Sequence, residues 1–448
     1  MEFKTNVVIF FLAGLSFSVC YDYKTVLQKS LLFYEAQRSG KLPADQKVKW
    51  RADSALNDKG IHGEDLTGGY YDAGDFVKFG FPMAFTATLL SWNILDHEKA
   101  YVKAGALEDG RKAIKWATDY LLKCHVGKNQ LYGQVGLGEL DHVSWTRPED
   151  MTMERPAFMI NASAPGSDLA AETAAAMAAA SLVFKTANAT YSALLLEHAR
   201  QLFDFANDYR GKYSDSIADA KNFYPSSNYP DEIVWGAAWM YRATREQKYM
   251  KVVDELYPTI QYWDGFSWDD KKGGIDVLLA DLTGDSKYLD KLKTFCEYAF
   301  NKQSRTPKGL IFYGESASLR STNNVLLICL EAAQRGVNAE SYRKESKKQL
   351  DYMLGDSGSS YVVGIGKNYP THAHHRSSSC PDHPKPCGWT FFNSDLPNYH
   401  MVEGAIVGGP GANDTHVDTR KDAPHNEVAC DFNASFQACI AILVELGY

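Results

Sequence analysis

Apolar residues in this chain recur at spacings of three and four, the period of a helix with one buried face. From Tyr23 to Arg38 they fall at Val26, Leu27, Leu31 and Leu32, and Gly40 and Pro43 close the segment. The same spacing predicts helices over 83–95, 107–123, 168–185, 192–209, 231–242, 247–260, 273–282, 286–300, 319–335, 339–354 and 426–446. The 168–185 segment carries alanine at 170, 171, 174, 175 and 176, which predicts a helix packed on all sides at short backbone distance. Strand signal is confined to the run Tyr361-Val362-Val363-Gly364-Ile365. No Ser/Pro/Gly-rich linker separates the helices, so the chain reads as one all-α domain. Helices paired along the whole length predict a toroid, an inner ring inside an outer one, with the long loops gathered at one end.

Two of those loops stand out. The stretch Gly68-Gly69-Tyr70-Tyr71-Asp72-Ala73-Gly74-Asp75-Phe76-Val77-Lys78-Phe79-Gly80 holds two carboxylates three residues apart among glycines and aromatics. Its glycines allow a tight turn, and the faces of Tyr70, Tyr71, Phe76 and Phe79 suit a sugar-binding cleft. A surface turn with two solvated aspartates is the plainer reading of such a motif. The second, over 133–165, is expected to be irregular and carries Asp141, His142, Trp145, Arg147 and Arg155. Loops of this length in a compact domain are usually functional.

Composition narrows the class. Of 448 residues, 45% are hydrophobic and 23% charged, a globular profile. A formal charge of −8 with no basic stripe argues against nucleic acid as partner. Lys4, the apolar run from Val7 to Leu15 and the small residues Ser16, Ser18 and Cys20 form a signal peptide over 1–20, cleaved near 18–20. It is too short to span a bilayer and no later segment reads as a span, so a secreted domain over 21–448 is expected. Among eight cysteines, Cys380 and Cys387 flank a proline-rich loop and are the best local disulfide pair. Most of the others sit in apolar helices as buried thiols. Sequons occur at Asn161, Asn188, Asn413 and Asn433, the last within an apolar helix and therefore discounted.

Three further clusters carry chemistry. Pro370-Thr371-His372-Ala373-His374-His375-Arg376 packs three histidines together, but Arg376 would repel a metal ion, so contact of His374 and Arg376 with sugar or carboxylate is favoured. Glu427 opens the last helix beside Val428, Ala429 and Phe432. Burial there would raise its pKa and make it an acid, whereas a helix N-terminus would lower it. Ser226-Ser227-Asn228-Tyr229-Pro230-Asp231-Glu232 offers hard oxygen ligands suited to calcium, or a helix cap with acidic residues in its first turn.

Together these stretches resemble glycoside hydrolase family 9, the endo-β-1,4-glucanases (cellulases), in the compact secreted form of termites and other invertebrates. The resemblance runs through Phe33 to Gly40, Asp53 to Gly60, Gly68 to Phe85, Pro165 to Ala175, His374 to Pro381 and Asn426 to Ala429. It implies an (α/α)6 barrel of about twelve helices and hydrolysis of β-1,4-glucan with inversion by a monomer. It implies Asp75 as the base that activates water, Asp72 as its helper and Glu427 as the general acid. His374 and Asp418 are implied to shape the catalytic site. Arg376, His142, Trp145 and the loop's Tyr70 and Tyr71 are expected to meet substrate. Ser227, Asn228, Asp231, Glu232 and Asp269 resemble the family's calcium site.

The chain departs from the family pattern at Ser144, Ser316, Ser321, Ala373, His416 and Ala423, most of which stand where a larger or aromatic residue is usual. The expectation is an intact set of catalytic carboxylates in an altered cleft. The alternative is a glycan-binding relative that has lost turnover.

Overall fold

The computed structural model describes residues 21–260 and 265–448. The expected signal segment, with Cys20, lies outside the described residues. Within them, twelve helices of ten residues or more follow in order. They are α1 Tyr23–Gln37, α2 Gly80–Ala104, α3 Leu107–Cys124, α4 Ser167–Phe184, α5 Ala189–Asp208 and α6 Pro230–Thr244. The second half comprises α7 Gln247–Leu256, α8 Lys272–Thr283, α9 Ser286–Asn301, α10 Ser318–Gln334, α11 Ala339–Asp351 and α12 Cys430–Leu446.

Even-numbered helices form the inner ring: α2 packs on α4, then α6, α8, α10 and α12 follow, and α12 returns to α2. Odd-numbered helices lie outside, each against its inner neighbours. This is the expected (α/α)6 barrel. The alternation follows from side-chain pattern. Inner helices α4 and α12 are buried almost all round. Outer helix α3 buries one stripe, from Ala113 and Ile114 through Ala117 and Tyr120 to Cys124. By length and composition α4 could cross a membrane, yet nearly all of it is buried inside the barrel. Its alanines let α6 come close: a Cβ on Gly236 would lie 3.0 Å from the Ala171 carbonyl oxygen.

Connections differ sharply between the two ends. Inner-to-outer turns take two to four residues, and those after α2 and α8 close with Gly105 and Gly284 in the left-handed region. Outer-to-inner connections take 15 to 78 residues. All six long loops therefore collect at the N-terminal end of the inner ring.

Four short strands brace that end: β1 Lys78–Phe79, β2 His125–Gly127, β3 Gln130–Val135 and β4 Ala157–Asn161. β3 pairs antiparallel with the other three. The 133–165 connection is thus more ordered than its sequence pattern suggests, since it holds the end of β3 and all of β4, which pair with each other. The expected strand at 361–365 makes only a single bridge, Val362 to Ile406, and Gly364 at φ 74° turns the chain away.

Cys380 and Cys387 are bonded as expected. Cys296 and Cys329 also form a disulfide, joining α9 to α10, which corrects their reading as buried thiols. Facing positions on two helices cannot be told from spacing alone. Asn433 is buried and hydrogen-bonded to the backbone of Ile406 and Gly404, whereas Asn188 and Asn413 are exposed and Asn161 is half-buried.

Candidate active site

The loop before α2 is shaped by close backbone approaches. Gly68 and Gly69 adopt φ of 96° and 74°, and a Cβ on Gly69 would meet the Tyr120 ring at 2.6 Å. Gly74 lies so near the 374–376 segment that a Cβ would fall 2.2 Å from the His374 carbonyl oxygen. These contacts turn Asp72 and Asp75 toward a cleft of about 500 Å³. Tyr70 and Tyr71 do the opposite. Both are fully buried, with hydroxyls donating to the Ala113 carbonyl (2.8 Å) and Ser54 Oγ (2.9 Å). They anchor the loop from below and do not face substrate, which corrects that expectation, and Phe76 is buried likewise.

Asp72 and Asp75 differ in their surroundings. Tyr224 donates its hydroxyl to Asp72 Oδ2, and Asp72 Oδ1 has no protein partner. Burial, then the charge of Asp75 and of Asp431, drives the Asp72 pKa well above the ordinary carboxylate value. Burial thus favours the neutral form of the Asp72 carboxyl. Asp75 Oδ2 lies 3.7 Å from His142 Nε2, while its Oδ1 also has no protein partner. Asp75 in turn pushes the His142 pKa upward.

Asp141 was only noted in the sequence, but the structure gives it a central place. Its carboxylate accepts the Phe76 N–H (3.2 Å) and pairs with Arg376, whose other nitrogen donates to the Asp141 and Ser144 carbonyls. Asp75, Asp141 and His142 each present one donor atom within 4.8 Å of the others, an acidic group with the geometry to hold a metal. The guanidinium of Arg376 already neutralises Asp141 there. Arg376 thus reaches the cleft edge while its donors are largely engaged by protein. That makes it a brace before it is a sugar contact.

Glu427 does not begin a helix. Asn426 ends a one-turn helix, Glu427 is extended (φ −69°, ψ 149°), and α12 starts only at Cys430. The extended stretch pairs with the histidine loop, His374 N–H donating to Asn426 O at 2.8 Å, and with Gly408 N–H donating to Glu427 O at 2.9 Å. Away from a helix N-terminus, burial dominates. Burial, then the charge of Asp75, pushes the Glu427 carboxyl up to about 8. That decides between the two readings open in the sequence.

The three histidines separate. His374 lines the cleft with Nδ1–H donating to the Arg420 carbonyl, and burial lowers its pKa, so Nε2 is an acceptor. His375 is buried, accepting the Ser378 N–H and donating to Gln37 Oε1 at 2.7 Å. His372 turns to Asp418. Asp418 accepts the Thr371 and His372 N–H groups at 2.8 and 3.0 Å and is absent from the cleft lining, so it holds the histidine loop and does not touch the reacting centre.

One cleft wall is aromatic: Trp145, Trp389 and Phe392 pack together, with ring centroids 4.6 to 6.0 Å apart. Phe223, Tyr224 and Phe432 add faces, while Ser144, Ser316, Ala317 and Ala423 leave small side chains along the same lining. Ala373 and His416 lie outside that lining. Phe223, Tyr224, Trp389 and Phe392 escaped the sequence reading. For Trp389 and Phe392 the available signal was the Gly-Trp-Thr-Phe-Phe run just after Cys387, and nothing local marked Phe223 and Tyr224.

Behind the cleft, Asp231 and Glu232 lie in the first turn of α6 with Oδ1 and Oε2 buried and without partners. Lys271 Nζ serves Glu232 (3.2 Å) and Glu172 (3.4 Å), and the Ser227 N–H donates to Asp269 Oδ1 at 2.8 Å. Burial raises Asp168 to about 7 and Asp270 to about 8, and raises Asp269 too. Buried carboxylates outnumber their cation here, and the unpaired oxygens fit a hard divalent ion. Asn228 offers its carbonyl, which Ser226 Oγ already contacts at 2.7 Å.

Comparison with known proteins agrees with this geometry. The model for Glycosyl hydrolase family 9 matches residues 23–440. Endoglucanase 15 of Arabidopsis thaliana is 44% identical over 446 residues, covering 91% of this chain and 90% of the relative. Bacterial relatives are longer: this chain spans 67% of Endoglucanase A of Bacillus pumilus at 42% identity, and 43% of Endoglucanase B of Cellulomonas fimi. The solved endoglucanase of the termite Nasutitermes takasagoensis superposes with a TM-score of 0.95 at 59% identity, covering 96% of this chain and 100% of that one. Endoglucanase CelQ of Clostridium thermocellum, solved with cellobiose and cellotriose, gives 0.84 at 31% identity, covering 96% and 71%. A carboxylate-lined cleft at the loop end of an (α/α)6 barrel, matched along nearly its whole length, makes the chain a member of glycosyl hydrolase family 9.

Proposed function

We propose that this chain, a glycoside hydrolase of the endo-β-1,4-glucanase type, cleaves internal β-1,4-glucosidic bonds with inversion. Glu427 gives its proton to the leaving oxygen, and Asp75 takes one from the attacking water. The observation that carries this reading is two carboxyls lining one cleft, Glu427 deeply buried and Asp75 with an oxygen free of any protein hydrogen bond. Glu427 holds its proton to about pH 8, while the charge of Asp75 acts on it from across the site. The unused oxygens of Asp75 and Asp72 can hold the water between them, Asp72 as donor. Inversion requires space for that water between acid and base. His374 offers an acceptor nitrogen to a sugar hydroxyl, and His142 steadies Asp75.

Asp75→Asn and Glu427→Gln should each cut reducing-sugar release from carboxymethylcellulose by about 10³-fold with an unchanged fold. Retention of most of the rate by Asp75→Asn would remove the base assignment. The small wall at Ser144, Ser316 and Ala423 favours a second reading, a glycan binder without turnover. Absence of wild-type hydrolysis on both carboxymethylcellulose and lichenan, with oligosaccharide binding intact, would select it.

Ser227, Asn228, Asp231, Glu232 and Asp269 are proposed to hold a structural calcium ion, which would offset the excess of buried carboxylates. A chelator should lower the melting temperature, and an unchanged value counts against the site. The apolar run and small residues within 1–20 and the exposed sequons at Asn188 and Asn413 support the reading of a secreted glycoprotein.

A further inference from the structure

We infer that the cleft accepts a branched β-1,4-glucan, with a neutral glycosyl side branch seated in a recess beside Glu427. This rests on the β-glucanase reading. The cleft lining is lopsided. Trp145, Trp389 and Phe392 form one wall, whereas Ser316, Ala317 and Ala423 line another part with nothing larger than a methyl or hydroxymethyl group. These three are neighbours in space. The Ala317 N–H donates to the Pro424 carbonyl at 2.9 Å, which lays the 316–317 turn against the one-turn helix Ala423–Asn426 that leads into Glu427. The small side therefore lies next to the acid. An unbranched chain lying on the aromatic wall has nothing to place there, and a side branch has.

The recess is held in shape by its backbone. Ala317 keeps a left-handed φ of 49°, which a residue with a Cβ adopts only at a cost. The next residues fasten it: Ser318 Oγ donates to the Pro410 carbonyl at 2.8 Å and the Leu319 N–H to the Gly408 carbonyl at 3.0 Å. A pre-set space takes a ligand without a large ordering cost. Its chemistry suits a sugar, with apolar surface and a few polar groups. Ala317 and Ala423 supply methyl surface, and Ser316 is exposed and offers a hydroxyl. Arg320 lines the cleft with its guanidinium over the Phe432 ring at 5.5 Å. Its carboxylate partner Asp431 stands at 4.0 Å, beyond hydrogen-bond reach, so the guanidinium can donate to a branch hydroxyl. Charge selects the kind of branch. Glu315 and Asp422 stand next to Ser316 and Ala423 in the chain, with His425 between them at 3.8 and 2.9 Å. Two carboxylates to one imidazole disfavour an acidic branch and leave a neutral one.

The test measures kcat/KM of the full chain on xyloglucan, whose β-1,4-glucan backbone carries xylosyl branches, and on cellohexaose, which carries none. Wild type is expected to cleave both. Ser316→Trp, at an exposed position, and Ala423→Tyr each fill the recess. Each should lower the xyloglucan-to-cellohexaose ratio by about tenfold, because the added ring clashes with the branch. Ser316→Ala leaves the recess open and should keep the ratio. Both rates come from one preparation, so a partly misfolded variant does not mimic the effect. A wild type that cleaves cellohexaose but not xyloglucan, or an unchanged ratio in both filled variants, overturns the branched substrate and leaves the glucanase reading intact. A wild type that cleaves neither overturns both.

Discussion

Two buried glutamates at opposite ends of the barrel are pushed in opposite directions. Glu427 sits among the long loops, where burial and then Asp75 raise it to about 8. Glu331 sits on α10 at the closed end. Burial would raise it as well, but His97 at 3.0 Å and Arg335 bring it down to about 2. Around Glu331 each carboxylate has a cation: Asp96 takes Arg242 and Arg335, and Glu445 takes His97. Around Glu427 the cations stand farther off, His142 at 3.7 Å from Asp75 and Arg320 at 4.0 Å from Asp431, and Asp72, Asp75 and Asp431 keep oxygens without a hydrogen-bond partner. The difference lies in whether the fold supplies the countercharge. Where it does, a buried acid holds helices together. Where it does not, the acid holds a proton that chemistry can use.

The comparison breaks most visibly under amide substitution. Glu427→Gln should abolish turnover, by about 10³-fold, yet raise stability at alkaline pH because no charge need then be buried. Glu331→Gln should do the reverse, costing about 3 kcal/mol in denaturant unfolding by stranding His97 and Arg335, with the rate per folded molecule unchanged. Equal stability losses in both would erase the distinction.

Next in size is the response to pH. A raised acid such as Glu427 contributes stability below its ordinary value of 4.5 that is lost as pH rises through about 8. The alkaline limb of the rate should fall at the same place, and Glu427→Gln should remove the stability change there. Glu331, lowered to about 2, contributes above 4.5 and fails as pH falls toward 2. Its partner His97, raised to about 10 as Glu331 outweighs burial, contributes below 6.5 and fails as pH rises toward 10. These are two views of one ion pair. Thermal unfolding scans in wild type and Glu331→Gln would locate its loss.

A smaller effect is expected from Tyr224→Phe, which removes the hydroxyl on Asp72. One hydrogen bond to a buried carboxyl is worth about 1–3 kcal/mol, so the rate should fall by roughly tenfold or a little more. A drop matching that of Asp75→Asn would instead place Tyr224 at the reacting centre.

Much was legible in the chain because it is local. Helix period gave all twelve helices, since 3.6-residue spacing records which face is buried whatever lies opposite. The glycine-bounded Asp72 and Asp75, the His374 loop and Glu427 could be singled out by composition and by family resemblance. Their environments could not. Tyr70 and Tyr71 look like cleft aromatics in sequence and proved to be anchors. Asp418 turned out to be a loop brace, and Cys296 found Cys329 across two helices. Glu427 looked like a helix start until pairing with residues 374 and 408 pulled it into an extended stretch. Sequence by itself determined the helices, their order and the inventory of acids. Tertiary structure alone decided which acid meets a cation and which does not, because a pKa is set by burial and neighbours brought together by ring closure. Glu427 and Asp75 are more than three hundred residues apart in the chain, and only closure of the ring places them in one cleft.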